Sequence, residues 1–146
     1  GIVPQDHLEG LSVKKREAMW FKMLSERGSN RACIVATVTA TGEIVGFVDG
    51  GPARNSSHGY SGELCAIYLL KSYQGRGIGK ALFQEFSRAL IKCGLNNMYL
   101  WVLKDNLTAG FYQSMGGEFI KSATIEVGGA KLQEDMYGWS VLSEKV

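Results

Sequence analysis

Residues 63–80 read Glu63-Leu64-Cys65-Ala66-Ile67-Tyr68-Leu69-Leu70, then Lys71-Ser72-Tyr73, then Gln74-Gly75-Arg76-Gly77-Ile78-Gly79-Lys80. The first eight residues are rich in apolar side chains and suit a strand. Three glycines within five positions then let the backbone turn tightly and approach a ligand with no Cβ in the way. From Ile78 onward Ala81, Leu82, Phe86, Ala89, Leu90 and Cys93 recur at helical spacing, and Gly94 is a fitting stop. The order is strand, glycine loop, helix. The first amides of such a helix have no partner within it, and its dipole is positive there, so the loop is a natural seat for an anion such as phosphate.

Working outward, Val13 to Arg27 reads as an amphipathic helix. Ser12 is its N-cap, Ala18, Met19, Trp20, Met23 and Leu24 form its stripe, and Gly28 with Asn30 ends it. Ala32–Thr39 and Glu43–Asp49 flank a Thr41-Gly42 turn and predict a hairpin. Residues 50–62, with their Gly, Ser, Asn, Pro and His, predict a loop. Beyond the glycine-loop helix, Met98–Leu103 predicts a strand. Asp105-Asn106 opens a short helix through Met115, ended by Gly116-Gly117. Phe119–Val127 and Ala130–Trp139 predict a last hairpin around Gly128-Gly129. The fold class expected is therefore α/β (α+β): a mixed, mostly antiparallel central sheet flanked by helices.

Composition narrows the function. At 146 residues the chain suits one compact domain, expected to span 1–146. A net charge of +2 gives no ground for nucleic acid as a partner. No stretch approaches the roughly 20 apolar residues of a membrane helix, and no signal-peptide region opens the chain, so a cytoplasmic protein without a membrane partner is expected. Cys33, Cys65 and Cys93 form no CxxC pair and no Cys/His cluster, which argues against a metal site and for three buried thiols in a reducing compartment.

The glycine loop discriminates among phosphate ligands. The dinucleotide fingerprint needs glycine three positions after Gly77, where Lys80 stands. A Walker A loop needs Ser or Thr after Gly79-Lys80, where Ala81 stands. The pattern Gln/Arg-x-x-Gly-x-Gly/Ala does fit, as Gln74, Gly77 and Gly79. With the strand Glu63–Leu69 before it, and Asp105-Asn106, Phe111-Tyr112 and Met115-Gly116-Gly117 after it, the chain resembles the GNAT (GCN5-related) N-acetyltransferase superfamily from about Ala32 to Trp139. Lys71 stands where the family often has proline. Asn106 and Tyr112 are six apart where many members have seven. The family usually starts with a strand that the dozen residues before Val13 do not supply, so that N-terminal strand is expected to be absent or removed.

The resemblance implies acetyl-CoA as co-substrate. It implies that Ile67, Tyr68 and Leu69 run beside the pantetheine arm through their backbones, like an added strand. It implies that the amides of Gln74, Gly75, Arg76, Gly77, Ile78, Gly79 and Lys80 hold the pyrophosphate, that the basic side chains Arg76 and Lys80 add charge, and that Asn106 contributes to the cofactor site. Tyr112 resembles the family's tyrosine beside the sulfur, which protonates the leaving thiolate. A strand N–H near Leu69 would polarise the thioester carbonyl. Glu63 is the candidate general base, with partial burial expected to raise its pKa; Asp49, His58 and Tyr60 are alternatives. The acceptor expected is a small-molecule or peptide amine. Dimers are common in this fold, and the C-terminal hairpin is a candidate homodimer interface. An inactive CoA-binding or protein-interaction module of the same fold is the alternative reading.

Overall fold

The computed structural model describes residues 19–25, 31–104 and 109–144. Seven strands form one sheet in the order β1-β2-β3-β4-β5-β7-β6. They are β1 (Met19–Ser25), β2 (Ala32–Val38), β3 (Ile44–Pro52), β4 (Gly62–Leu69), β5 (Met98–Leu103), β6 (Glu118–Val127) and β7 (Ala130–Trp139). Two α-helices accompany them, α1 (Ile78–Lys92) and α2 (Ala109–Ser114). Every described strand pair is antiparallel except β4 with β5. The expected mixed, mostly antiparallel sheet is the one found, and the two hairpins fall within a few residues of their predicted bounds.

The amphipathic helix expected over Val13–Arg27 is overturned at its centre. Met19–Ser25 is strand, in antiparallel register with β2 from Met19↔Val38 to Ser25↔Ala32. The free edge of β2 offers a row of unpaired N–H and C=O groups, and Trp20 and Phe21 are strand-favouring types. A long-range ladder thus outweighs a local period that only the sequence displays. The rest of that expected helix, and the N-terminal strand expected to be absent, lie outside the described residues.

Helix α1 fills one face of the sheet. Leu82, Phe83, Phe86 and Leu90 are buried against Ile34, Val48, Leu64 and Trp139. This is the predicted stripe, with Phe83 added. Cys93 departs from it: the residue caps the helix and is exposed, because the chain turns outward at Gly94 (φ 83°). Cys33 and Cys65 are half-buried, and all three cysteines are free thiols. No helix among the described residues is long and apolar enough to cross a membrane.

One irregularity positions everything functional. On β3 Asp49 pairs with Ala66, yet Gly50 pairs with Leu64, so Cys65 is an extra residue on β4. Such a bulge bends its strand and sharpens the local twist. The parallel ladder between β4 and β5 then consists of Gly62↔Met98 and Glu63↔Tyr99 alone. Below that point the strands are zipped: Asn97 Oδ1 accepts from the Ser61 amide (2.6 Å) and hydroxyl (2.8 Å), and the Asn97 carbonyl accepts from the Gly62 amide. Above it they part, β4 staying with β3 and β5 with β7. The result is a V-shaped opening in the middle of the sheet.

The bulge requires glycine at position 50. A Cβ there would stand 2.2 Å from the Glu63 carbonyl oxygen and 2.6 Å from the Phe86 ring. Gly50→Ala is expected to cost about 1–3 kcal/mol through this overpacking, read as a thermal midpoint several degrees lower. An unchanged midpoint would contradict the β3–β4 register described here.

Candidate functional site

The glycine loop lies at the open end of the V. After β4 the chain makes a 3-10 turn over Lys71–Tyr73, then Gly75 (φ 74°) and Gly77 (φ 81°) take left-handed conformations that lead into α1. Gly77 is the helix N-cap, and the space where its Cβ would stand is open. Among the described residues, none of the amides of residues 75–80 donates a hydrogen bond. Six consecutive N–H groups thus stand without a partner among the described residues at the positive end of a fifteen-residue helix. Arg76 sits over the Tyr73 ring at 5.0 Å, and its Nε is buried with no hydrogen-bond partner among the described residues. A buried donor left unpaired is costly, and a phosphate oxygen is the kind of group that would satisfy it. Lys80 and Lys71 are exposed beside the loop. Gln74, itself exposed, folds back along the surface, its Nε2 donating to the Leu69 carbonyl at 3.0 Å, so it fastens the loop to β4.

Ile67, Tyr68 and Leu69 form the upper arm of β4. Ile67 and Leu69 pack against the core, while Tyr68 is exposed and tilts against Phe47. The side of this arm turned toward β5 has no ladder partner among the described residues. Tyr112 on α2 is buried at 6% exposure, its ring beside Phe111, Tyr137 and Trp139. Its neighbour Phe111 closes the floor of the glycine loop: a Cβ on Gly79 would lie 3.5 Å from that ring. Asn106 lies outside the described residues.

The opposite face of the sheet holds Glu63, since alternation along β4 sends Leu64 to the α1 side and Glu63 away from it. Glu63 is only 2% exposed and fully engaged. Oε1 accepts from the Arg54 amide (3.0 Å), Arg54 Nε (3.1 Å) and the Tyr99 hydroxyl (3.1 Å), and Oε2 accepts from Arg54 Nη2 (2.6 Å). Burial pushes the carboxyl pKa up, but the hydrogen bonds from Arg54 and Tyr99 together outweigh it and hold the group below the ordinary glutamate range. The expected rise is therefore corrected to a fall, because burial comes with a forked guanidinium partner. The sign follows: this ion pair stabilises the fold above the ordinary glutamate pKa, and that contribution is lost as pH falls through the lowered value.

Arg54 and Tyr99 escaped the sequence reading, although a carboxylate in the middle of an apolar strand requires partners somewhere. The anchoring fixes the loop between β3 and β4 across the sheet. Its His58 ring lies edge-on to Tyr99 (5.1 Å) and Trp101 (5.8 Å), and Tyr60 tilts against Tyr99 at 6.1 Å. Burial raises the pKa values of both tyrosines, with the Glu63 charge adding to the effect at Tyr99 and that of Glu118 at Tyr60. Asp49 is committed to Arg31 at 2.7 Å. The described residues hold no His/Cys/Asp/Glu group placed to bind a metal. The structure thus gathers two separate features on β4, an anion-seeking cradle at its upper end and an aromatic wall with an anchored carboxylate at its lower end.

The chain is similar to known proteins over most of its length. The model of the acetyltransferase (GNAT) family matches residues 5–116. The uncharacterized N-acetyltransferase YuaI of Bacillus subtilis (strain 168) is 35% identical over 142 residues, covering 97% of this chain and 79% of that protein. Among solved structures, Arabidopsis thaliana NAA60 in complex with a bisubstrate analogue superposes with a TM-score of 0.65 at 17% identity, covering 95% of this chain and 96% of the other. The structure of yncA from Salmonella typhimurium with its cofactor acetyl-CoA gives 0.62 at 18% identity over 75% of this chain and 64% of the other. The family match over most of the chain, on a sheet split at the same β4 that carries the glycine cradle, makes this protein a member of the GNAT acetyltransferase family.

Proposed function

We propose that this chain transfers the acetyl group of acetyl-CoA to a primary amine by direct attack. The observation that carries the reading is the cradle of free amides at residues 75–80, set at the end of a strand arm whose edge is open to an amide-rich ligand. The cradle suits the pyrophosphate, with Gly75, Arg76, Gly77, Ile78, Gly79 and Lys80 donating through their backbones. Gln74 keeps the cradle in place. The arm at Ile67, Tyr68 and Leu69 suits the pantetheine, which would pair as an added strand. The acetyl-CoA complex of yncA supports the same ligand here.

In the reaction the acceptor ammonium first loses a proton. The amine nitrogen then attacks the thioester carbonyl carbon, whose oxygen is stabilised by a strand N–H near Leu69. The carbon–sulfur bond breaks, the nitrogen loses its second proton to solvent, and the thiolate takes a proton from the Tyr112 phenol, which solvent then restores. One proton is released overall. The role of base, expected at Glu63, is the one its surroundings support least. A carboxylate that already accepts four hydrogen bonds and is held ionised by Arg54 has little capacity for a proton. We assign Glu63 to positioning Arg54 and the wall that receives the amine.

Thermal unfolding tests the cofactor. Acetyl-CoA at about a hundred times its dissociation constant should stabilise the protein by roughly 2.7 kcal/mol, a rise of several degrees, with little effect from NAD or ATP. Gly77→Val should retain the fold and lose this rise, because the residue must hold a positive φ. A normal rise in that variant would remove the cradle from the cofactor site.

Steady-state kinetics separate the other roles. Tyr112→Phe should lower kcat by roughly a hundredfold with the KM for acetyl-CoA little changed; unaltered turnover would end its assignment as the acid. Glu63→Gln should lower the rate by a similar factor from about pH 6.5 to about pH 9, since Glu63 stays ionised throughout. A loss confined to neutral pH and recovered in alkali would restore Glu63 as the base.

A further inference from the structure

One carboxylate on the acceptor face takes no part in any of this. Glu134 of β7 stands directly across from Leu103 of β5 and from Ala123 of β6. Directly opposed residues share a face, and Leu103 shares its face with Trp101 and Tyr99, so Glu134 lies on the face of the aromatic wall. It stands one strand beyond the mouth of the V. Its surroundings are apolar: Leu103 is 43% exposed, Leu132 is 36% exposed, and Met136 is buried. The side chain is half-buried, and among the described residues it makes no hydrogen bond and no ion pair.

A half-buried carboxylate with no partner, set in an apolar patch, is an unfavourable arrangement for folding alone. Such a group is a candidate to bind a ligand of opposite charge. Burial raises the Glu134 pKa, and the charge of Arg54 offsets this only in part. Charged groups on this face include Glu63 with its Arg54, Asp49 with its Arg31, Glu118 near Tyr60, and the exposed Lys121. The two ion pairs cancel, Glu118 and Lys121 cancel, and Glu134 is left as one negative charge. Arg54 is already spent on Glu63.

We propose that Glu134 binds a second positive charge on the acceptor, so that the preferred substrate class is an amine carrying another cationic group a short chain away from the reacting nitrogen. This inference rests on the amine-acetylation reading above. The reacting amine enters at the V. The neighbouring apolar strip of Leu103 and Leu132 takes the connecting carbons, and the carboxylate takes the distal ammonium. The half-buried Trp101 ring, which His58 meets edge-on, lies on the same face between the V and Glu134, and an aromatic face favours a passing cation. Glu134 is thereby a specificity-determining residue and not a catalytic one.

The test compares 1,4-diaminobutane with n-butylamine, which differ in the distal ammonium. Two readings are taken: kcat/KM at saturating acetyl-CoA, and calorimetric binding to protein saturated with CoA. The natural protein should prefer the diamine by about tenfold or more, the worth of one hydrogen-bonded charge. Glu134→Gln should bring the ratio near one, with the KM for acetyl-CoA and its thermal shift retained. Ala123→Lys, which plants a cation across the ladder from Glu134, should do the same. A natural protein without preference for the diamine in binding, or a preference that survives both substitutions, overturns the proposal. If acetyl-CoA itself neither binds nor is consumed, the reading of the activity fails instead, and the thermal shift alone identifies that case.

Discussion

The structure depends on the extra residue at Cys65. A regular β4 would continue its parallel ladder with β5, and the sheet would close. The bulge ends that ladder after Glu63↔Tyr99 and frees the strand arm that a ligand can join. Two other arrangements keep the split from spreading. Asn97 ties the lower end shut through Ser61 and Gly62, and Gly50 leaves room for the Glu63 carbonyl and the Phe86 ring to press against β3. The opening is therefore built into the strand register itself.

The two faces of the split sheet divide the work. On the α1 side, packing of Leu82, Phe83 and Phe86 holds the helix so that its free amides meet at the end of β4. On the other side Glu63 and Arg54 pin the β3–β4 loop, which brings His58 and Tyr60 over Tyr99 and Trp101. The ion pair holds that loop against β4. A carboxylate whose acceptor positions are filled by a guanidinium, an amide and a phenol stabilises structure through its charged form.

Much of this was legible in the sequence. The Gln74–Gly79 loop, the α1 stripe, the mixed sheet and both hairpins follow from local periodicity and turn chemistry, and they recur with nearly the predicted bounds. What was hidden is what depends on distant partners. Met19–Ser25 carries a helical period but answers to the free edge of β2. Glu63 reads as a base by position, and only Arg54 and Tyr99, nine and thirty-six residues away, reverse the direction of its pKa. Glu134 has no local signal at all: its isolation emerges only when β5, β7 and β6 align.

The central claim is that a CoA pyrophosphate rests on the amides of residues 75–80 while the pantetheine lines the open arm of β4. Backbone amide NMR of the labelled protein, titrated with acetyl-CoA, addresses it residue by residue. The account predicts the largest shifts at the amides of 75–80, downfield as they acquire phosphate acceptors, with a second set along 66–69 and little change in the β6–β7 hairpin. Saturable shifts that bypass residues 75–80 would contradict it, whatever the protein then proved to bind.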